Sequence, residues 1–543
     1  MSMKLNYATV VEAMTDSLPD QACLVYGDKV TSYREFDDRS ARISRALAEH
    51  GLGRDSKVGL FLYNCPEYME GTLAAFKLRA IPINVNYRYV GDELIYLLQD
   101  CEAQALIFHS SLGDRVNEIR ARLPGLKLLI SVDDGGEPVA GAIPYEQILQ
   151  SLEPAERIER SHEDSLMLYT GGTTGMPKGV QYKVGDTLTP MAQMVPQFLG
   201  IKSADSLQGL VENAVDRAQC GQAFVSLPAS PLMHTAGIMN SGIQSHVLGG
   251  VLVILQSRHF DPRELWRAVE RHRVNHVVVV GDTFVKPMLQ AIDEDRQKGV
   301  QYDISSLRII FSSGVMFSRE SKLKLLELGD MLIIDAAGAS EGAMAIQVSS
   351  RSNPPSETGQ FMALPTTEIF DENYEMLPRG CGRVGLIGVG GALPRGYYRD
   401  SKKSENTFRT IGGRRFAFTG DMGSIDENGT LTFMGRSSNC INTGGEKVFP
   451  EEVEEVIKQH PRVRDCLVVG LPDERFGQRV AAVVSLSAPL ASPAEELQSF
   501  CSEHLARYKL PQSVMLVEQI QRAPNGKADY SWAKQQLEQG GPG

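Results

Sequence analysis

Short apolar runs alternate with helical patterns through the N-terminal part of the chain. The run VGLFLY at Val58 is followed by the helical segment EYMEGTLAAFKLRA, and IPINVNY, ELIYLLQD and ALIFH continue the alternation. Further strand-like runs are GVLVIL at Gly250, HVVVVG at His276 and LRIIFSSG at Leu307. Strands that alternate with helices usually form parallel sheets whose faces are covered by those helices. The pattern therefore predicts a body of layered α/β subdomains.

The composition changes near residue 436. The segment GRSSNCINTGGEKVFPEEVEEVI leads into a helix that we expect to begin at Pro450 and to bury Val453 and Ile457. The strand-like runs CLVVGL and VAAVVSL follow, and Ser492 and Glu495 have the spacing of a capping box at the start of a further helix. These patterns predict a compact α+β tail.

Length and composition predict a globular protein with more than one domain. The chain has 543 residues, of which 42% are hydrophobic and 22% are charged, so it can bury a sizeable core. We predict a large N-terminal α/β domain over residues 1–436 and a small C-terminal α+β domain over residues 437–543.

Charge and cysteine content argue against several classes of function. The formal net charge of −12 does not suit a protein that mainly binds nucleic acid or anionic lipid. The eight cysteines form no C-x-x-C pair, so neither a zinc knuckle nor a disulfide framework is indicated. No signal peptide and no membrane-spanning segment is recognisable, which favours a cytoplasmic protein. The sequence leaves open whether the chain forms a homodimer.

The stretch YTGGTTGMPKGV, from Tyr169 to Val180, follows a strand-like run and suits an anionic ligand. Its hydroxyls and unobstructed glycine N–H groups can approach phosphate oxygens closely. Its lysine lies between Pro177 and Gly179, so the stretch is not a Walker A loop. A plain flexible surface loop is the alternative interpretation. The anion-binding candidates are Thr170, Gly171, Gly172, Thr173, Thr174, Gly175 and Lys178.

This stretch resembles the phosphate-binding signature of the adenylate-forming superfamily, which includes acyl-CoA synthetases, adenylation domains of peptide synthetases and firefly-type luciferases. Other segments resemble the family's remaining motifs, in the family's order. They are PLMH ending at His234, DAAGASEG from Asp335, FTGD ending at Asp421, GR ending at Arg436, YKLP from Tyr508 and APNGK ending at Lys527. Taken singly, Asp421 suits a turn, Lys527 a solvated surface and His234 a core. Their common order favours the functional interpretation.

The resemblance implies ATP, Mg²⁺ and coenzyme A as cofactors or co-substrates and gives each motif a role. Catalysis would depend on Lys527, Glu341, Thr174 and His234, and the metal would be held by Thr174 and Glu341. Beyond the glycine-rich loop, the nucleotide would contact Gly314, Asp335, Ala336, Ala337, Gly338, Ala339, Ser340, Asp421, Arg436 and Lys527. CoA would contact Gly444, Gly445 and Lys447, and the acyl group would lie against His234, Gly338 and Gly342. Ser438 would be the hinge of a mobile C-terminal domain.

The implied function is that of an acyl-CoA synthetase. A carboxylic acid would attack the α-phosphate of ATP to give acyl-AMP and pyrophosphate, and the CoA thiol would then take the acyl group. Two alternatives stay open: an adenylating enzyme that passes the acyl group to a carrier protein, and a catalytically silent nucleotide-binding homologue. The presence of Lys527, Glu341 and Asp421 argues against the silent homologue, whereas Ala337 and Ser438 depart from the family's pattern.

Ala337 stands where the family most often has an aromatic residue against the adenine. Some stacking area is therefore missing unless another ring supplies it, and the candidates are Phe311 and Phe317. The small residues around Ala337 leave room near the acyl site, which predicts a bulky, branched or steroid side-chain acid, or a medium to long acyl chain. The segments INVNYRY, VVGDTFVKPM, LPRGYYRD and APNGKADY resemble those of bacterial fatty-acyl and sterol-side-chain CoA ligases.

Overall fold

The structure is a computed structural model, and it describes residues 3–170, 176–193, 195–198, 200–436, 439–443, 446–473, 476–522 and 527–539. The helices are α1 (Tyr7–Ser17), α2 (Tyr33–Glu49), α3 (Pro66–Lys77), α4 (Gly91–Asp100), α5 (Gly113–Ile119), α6 (Tyr145–Ser151), α7 (Val184–Gln193), α8 (Val195–Phe198), α9 (Leu207–Gln219), α10 (Thr235–Gly237), α11 (Gln244–Val247), α12 (Pro262–Arg271), α13 (Gly281–Gln297), α14 (Arg319–Leu328), α15 (Ser401–Thr407), α16 (Pro450–Lys458), α17 (Pro493–Ser502) and α18 (Tyr530–Gln539). A π-helical segment, Ile238–Ile243, joins α10 to α11.

The strands are β1 (Ala22–Tyr26), β2 (Lys29–Ser32), β3 (Lys57–Phe61), β4 (Ile81–Asn84), β5 (Ala103–His109), β6 (Leu128–Val132), β7 (Ile143–Pro144), β8 (Ser165–Thr170), β9 (Lys178–Lys183), β10 (Val225–Pro228), β11 (Val251–Ile254), β12 (His276–Val279), β13 (Ile309–Ser313), β14 (Leu332–Ala339), β15 (Gly342–Ser349), β16 (Gln360–Ala363), β17 (Thr367–Phe370), β18 (Gly385–Val389), β19 (Gly396–Tyr397), β20 (Phe408–Ile411), β21 (Arg414–Ile425), β22 (Thr430–Arg436), β23 (Ile441–Thr443), β24 (Glu446–Val448), β25 (Val463–Asp473), β26 (Gly477–Leu486) and β27 (Ser513–Leu516).

The chain divides into two compact units. Unit 1 comprises Met1–Gly342, Val348–Pro355 and Ala392–Phe408, and unit 2 comprises Ala343–Gln347, Ser356–Gly391 and Arg409–Gly543. The predicted boundary between residues 436 and 437 falls inside unit 2 and stays a prediction.

Unit 1 contains two sheets with parallel strands and one antiparallel sheet. The first sheet has the order β14-β13-β12-β10-β11-β1-β2, in which only β2 runs antiparallel to its neighbour. The second sheet, β4-β3-β5-β6-β7, is parallel throughout. The third, β19-β9-β8, is antiparallel. The predicted alternation of strands and helices is confirmed, and the fold class is the predicted layered α/β body.

Helix α12 illustrates why these segments fold as they do. The Asp261 side chain accepts a hydrogen bond from the Arg263 N–H, and Pro262 occupies the first helical position, where its missing N–H costs nothing. Leu265, Trp266 and the residue a turn later, Val269, are fully buried against the sheet. Strand β12, with sequence HVVV, is buried along its whole length because helices cover both faces.

Unit 2 combines antiparallel strands with a small α+β layer. Strands β17-β18-β21-β22-β16-β15 pair in that order, and β24-β23-β26-β25 form a second sheet to which β27 adds in parallel. Helix α16 begins at Pro450 and buries Val453 and Ile457, as predicted. The predicted capping box before α17, which paired Ser492 with Glu495, is wrong. Glu496, rather than Glu495, accepts from the Ser492 N–H at 2.9 Å, and the Ser492 side chain makes no capping bond.

Across the residues that the structure describes, no helix is both long enough and apolar enough to cross a membrane.

Candidate active site

The two ends of the glycine-rich stretch lie on paired strands of unit 1. Strand β8 ends at Thr170 and β9 begins at Lys178, and these two residues are antiparallel partners. Two of the predicted anion-binding residues, Thr170 and Lys178, therefore lie side by side where the strand pair ends. The predicted contacts of Gly171, Gly172, Thr173, Thr174 and Gly175 lie outside the described residues and stay predictions.

Asn84, at the end of β4, joins the β8–β9 pair to the loop that carries His234. Its Nδ2 donates to the carbonyl oxygens of Tyr169 at 2.9 Å and Met233 at 2.8 Å, and its Oδ1 accepts from the Tyr169 N–H at 2.8 Å. His234 follows Met233 and is half-buried at the start of α10. The structure thus brings the β8–β9 pair and the predicted acyl-pocket histidine into one neighbourhood.

Ser340 and Glu341 form the turn between β14 and β15, and two tyrosines tie this turn to the β8–β9 pair. The Tyr182 hydroxyl, on β9, donates to the Ser340 carbonyl oxygen, and the Tyr397 hydroxyl, on β19, donates to Glu341 Oε1. Tyr397 also pairs with Val180 on β9 through the backbone. Burial, reinforced by Glu341 and Tyr397, raises the pKa of Tyr182, so that its hydroxyl stays a donor.

The single carboxylate at this turn fits a magnesium ion that arrives with a nucleotide. Mg²⁺ commonly keeps several waters and takes one or two protein carboxylates together with substrate phosphates. Within the described ranges, no group of three or more His, Cys, Asp or Glu side chains is arranged to hold a metal. By that general preference of Mg²⁺, Glu341 suits coordination that is shared with a polyphosphate. Thr174, the other predicted metal ligand, lies outside the described residues.

Lys178 is engaged by groups of its own unit. Its Nζ lies 3.4 Å from Asp400 Oδ2 and 6.0 Å from the centroid of the Tyr96 ring. Burial opposes its charge, but Tyr96, Asp100 and Asp400 outweigh burial and raise the pKa of Lys178 above its ordinary value. The lysine is therefore a cation at any physiological pH. A phosphate at this end of the β8–β9 pair would compete with Asp400 for it.

Asp335 is committed to an internal ion pair. Its carboxylate lies 2.6 Å from Lys322 Nζ, and the two side chains are 5% and 2% exposed. Burial raises the pKa of Asp335 to about 6, although Lys322 partly offsets this effect. Any nucleotide contact at this predicted position would therefore come from the backbone.

The other predicted nucleotide residues of unit 1 lie at the carboxyl ends of β13 and β14. Ser313 pairs with Ala336, so Gly314 and Ala337 follow side by side, and Gly314 adopts a φ of +90° that favours glycine. Ligands of parallel α/β sheets bind at such strand ends. Of the predicted nucleotide and acyl residues here, Gly338 is exposed, and those that are half-buried are Ala336, Ala337, Ala339, Ser340 and Gly342.

Neither of the two candidate rings is placed to compensate for Ala337. Phe317 is 1% exposed and packs inside the hydrophobic core. Phe311 pairs with Ile334 across the parallel strands, so these two share a face. Because side chains alternate along a strand, Ala337, three residues after Ile334, lies on the opposite face. Neither phenylalanine is therefore placed to supply that ring.

In unit 2, Asp421 and Arg436 face each other across strands β21 and β22. Arg436 Nε donates to Asp421 Oδ1 at 3.1 Å, and the Thr419 hydroxyl donates to Asp421 Oδ2. Asp421 is 3% exposed, whereas the Arg436 side chain is 27% exposed. A carboxylate has lone pairs to spare beyond these two bonds, so Asp421 can still accept from ligand hydroxyls.

Glu451, at the start of α16, is a buried carboxylate that sequence reasoning missed. Its Oε2 has no hydrogen-bond partner, and a Cβ added to Gly435 would lie 2.3 Å from that oxygen. Gly435 also has a φ of +117°, so only glycine fits before Arg436. Burial raises the pKa of Glu451 to about 7, and Glu454 and Asp421 add to the shift.

Lys527 immediately precedes Ala528, which forms an antiparallel bridge with Arg522 in unit 2. The predicted hinge residue Ser438 and the predicted CoA residues Gly444 and Gly445 lie outside the described residues. For Lys447 the structure describes only the backbone, which pairs with Asn442 on β23.

The positioning residues could be found from the sequence only in part. Asn84 ends the otherwise apolar strand IPIN, and an amide inside a buried strand is a readable signal. Tyr397 lies within LPRGYYRD, a segment that carried a resemblance but no assigned role. No local pattern marks Tyr182 or Glu451, because their partners are distant in the sequence.

Family models and known relatives match almost the whole chain. The model of the AMP-binding enzyme family matches residues 11–398, and that of the AMP-binding enzyme C-terminal domain matches residues 452–527. A 3-oxocholest-4-en-26-oate–CoA ligase of Rhodococcus rhodochrous is 37% identical over 541 residues, which cover 98% of this chain and 96% of that protein. A medium-chain acyl-CoA ligase of Mycobacterium avium is 38% identical, with 98% of each chain covered. The crystal structure of the anthranilate CoA ligase AuaEII with anthranoyl-AMP superimposes with a TM-score of 0.83 at 22% identity, over 98% of this chain and 96% of that one.

The Lys322–Asp335 pair gives a prediction about stability. Lys322→Met leaves Asp335 buried without its cation, and we expect the free energy of unfolding to fall by about 3–5 kcal/mol at pH 8. Urea unfolding followed by circular dichroism measures this loss. The double variant Lys322→Met/Asp335→Leu removes both charges and should recover most of it. A double variant as unstable as the single one would contradict the account.

Glu451 gives a prediction about pH. An acid whose pKa is raised on folding destabilises the native state increasingly as pH rises from its ordinary value of 4.5 to its folded value of about 7. Glu451→Gln removes this effect. The free energy of unfolding of the variant, minus that of the unmodified protein, should therefore increase between pH 4.5 and pH 8, by up to about 3 kcal/mol. Melting temperatures across this range test the prediction, and parallel pH curves would refute it.

Proposed function

Because the chain belongs to the family of AMP-binding enzymes, we propose that it is an ATP-dependent acyl-CoA ligase that activates a carboxylic acid as acyl-AMP and transfers the acyl group to coenzyme A. One observation carries the proposal. Both family regions are present in one chain whose relatives, named as CoA ligases, align with it almost from end to end.

The first half-reaction joins two anions. A carboxylate oxygen attacks the α-phosphorus of ATP, the bond from that phosphorus to the bridging oxygen breaks, and pyrophosphate leaves with the electron pair. The stretch from Thr170 to Lys178 would hold the departing phosphates, and Asp421 would accept from the ribose hydroxyls. Mg²⁺ bound with ATP would offset the phosphate charge, with Glu341 and Thr174 as its protein ligands.

Lys527 would supply the cation nearest to the reacting oxygens. Its ammonium would lie against the carboxylate and the α-phosphate, where negative charge from both reactants converges. Arg436 would contribute further positive charge, and its hydrogen bond to Asp421 keeps the guanidinium in a fixed orientation. These roles rest on the resemblance of the motifs and on the contacts that each residue makes within its own unit.

The second half-reaction transfers the acyl group. The CoA sulfur attacks the acyl carbon, and AMP leaves with the former carboxylate oxygen. A lysine at the attacked carboxyl would obstruct the arriving thiol, so we propose that the C-terminal domain, residues 437–543, rotates about Ser438 between the two steps. Gly444, Gly445 and Lys447 would then line the path of the pantetheine arm.

We further propose a bulky apolar acid as the substrate. The names of the relatives, which act on medium-chain acids or on a steroid side-chain acid, support this class. So do the small residues Ala336, Ala337 and Gly338, which leave space at the end of β14. All eight cysteines are free thiols, which suits a reducing compartment such as the cytoplasm.

An acid panel tests the function and the substrate class together. Acetate, octanoate, palmitate and 3-oxocholest-4-en-26-oate are incubated with ATP and Mg²⁺, with and without CoA, and pyrophosphate, AMP and thioester are measured. We expect thioester from one or more of the three larger acids and little from acetate. Exclusive use of acetate would overturn the substrate proposal, pyrophosphate without thioester would favour a carrier-protein acceptor, and no pyrophosphate with any acid would favour a silent homologue.

Lys527→Ala separates the two half-reactions. Removing a preorganised cation from the transition state should lower the rate of adenylation about 10²–10³-fold, while thioester formation from supplied acyl-AMP stays near normal. Single-turnover assays of each step measure the effect. Lys534→Ala, which changes an exposed lysine of α18, is the matched control. Equal losses in both steps would contradict the proposed role of Lys527.

A further inference from the structure

Arg522, which bridges Ala528 next to Lys527, makes a bidentate contact with Asp465. Arg522 Nε donates to Asp465 Oδ2 at 2.8 Å, and Nη2 donates to Oδ1 at 2.7 Å. The two side chains are only 19% and 25% exposed. A planar guanidinium that meets both carboxylate oxygens fixes direction as well as distance, which a lysine cannot do.

The Asp465 carboxylate has further partners besides Arg522. Asp465 lies on β25, Lys458 Nζ of α16 approaches its Oδ1 at 3.7 Å, and the Cys466 N–H donates to the same oxygen at 2.9 Å. Burial alone would raise the pKa of Asp465, but Arg522 and Lys458 outweigh burial and keep the pKa below its ordinary value. Asp465 is thus a fixed anionic anchor in the middle of unit 2.

The residues that follow Lys527 are also anchored. Ala528 forms an antiparallel bridge with Arg522, which is itself held by Asp465 of β25. Helix α18 follows, and its first turn is capped by Asp529 through the Trp532 N–H at 2.9 Å. Ala528, Tyr530 and Trp532 pack against the apolar side of β25 and β26. Lys527 is therefore directly beside an anchored residue, Ala528.

We propose that Arg522 is a positioning residue for adenylation: its bidentate bond to Asp465 fixes the bridge to Ala528 and thereby the backbone next to Lys527. The inference rests on the proposed function and adds to it a residue that touches no substrate. This clamp, the Arg522–Asp465 pair with the Arg522–Ala528 bridge, lies entirely within unit 2, so its contacts do not depend on the position of unit 1. The entropy cost of ordering Lys527 then falls on folding rather than on the reaction. Such ordering matters because a displacement of a catalytic group by about 1 Å can lower a reaction rate roughly 10²-fold.

The test uses Arg522→Lys, Asp465→Asn and the double variant, assayed separately for pyrophosphate release and for thioester formation from supplied acyl-AMP. We expect each single variant to lower kcat for adenylation about 10–100-fold, with thioester formation and the KM for CoA within about twofold of the unmodified enzyme. The double variant should be no slower than the slower single variant, because both changes break one interaction. Arg464→Lys, the same substitution at an exposed residue of β25, is the control.

Three outcomes would overturn the proposal: equal losses in both half-reactions, additive losses in the double variant, or adenylation that stays within twofold. Amide hydrogen exchange of the peptide 518–530 checks the clamp independently of activity. Arg522→Lys should accelerate exchange in this peptide and leave the peptides of β26 unchanged. Unchanged exchange in Arg522→Lys would refute the clamp even if the enzyme is active. If the unmodified protein releases no pyrophosphate, the proposed function is refuted, and the exchange experiment alone then decides whether the clamp exists.

Discussion

Repulsion between two anions is the constraint on which the proposed site depends. A carboxylate and a triphosphate must be brought into contact before a bond can form, and each added charge raises the cost in a site shielded from water. Cations must therefore lie beside the reacting oxygens, and they must stay in place as negative charge moves from the carboxylate to the departing pyrophosphate. In this chain each candidate cation that the structure describes in detail has a carboxylate partner: Lys178 has Asp400, and Arg436 has Asp421.

These carboxylates orient the candidate cations of each unit without removing their charge. Asp421 orients Arg436, and Asp421 keeps lone pairs because Thr419 and Arg436 occupy only part of its capacity. The same principle holds for the Glu341 turn, where a tyrosine hydroxyl orients the carboxylate but leaves its charge in place. Hydrogen bonds of this kind fix geometry in the resting protein, so that little reorganisation is needed during reaction.

Sequence reasoning succeeded where the determining interactions are local or periodic. The alternation of apolar runs and helices predicted the parallel sheets, and Pro450 predicted the start of α16. It failed where the outcome depends on which groups the folded chain brings into contact. Glu496 rather than Glu495 caps α17, and Phe317 is buried rather than available at Ala337. The tyrosine bonds to the Glu341 turn join segments that no spacing rule connects.

The candidate residues themselves were recognisable because their motifs resemble those of the adenylate-forming superfamily and follow in the same order. Their supporting contacts were not, since Asn84, Tyr397 and Arg522 act through partners 85, 56 and 57 positions away in the chain. A motif thus identifies what a site does, whereas the packing around it determines whether its groups are held well enough to do it.

The central claim is that a carboxylate oxygen attacks the α-phosphorus of ATP and later leaves with AMP. Octanoate labelled with ¹⁸O in both carboxylate positions tests this directly, with CoA present and the products analysed by mass spectrometry. The account predicts one ¹⁸O in each AMP released, none in pyrophosphate and one in the thioester carbonyl. Label in pyrophosphate, or thioester formed with unlabelled AMP, would contradict it.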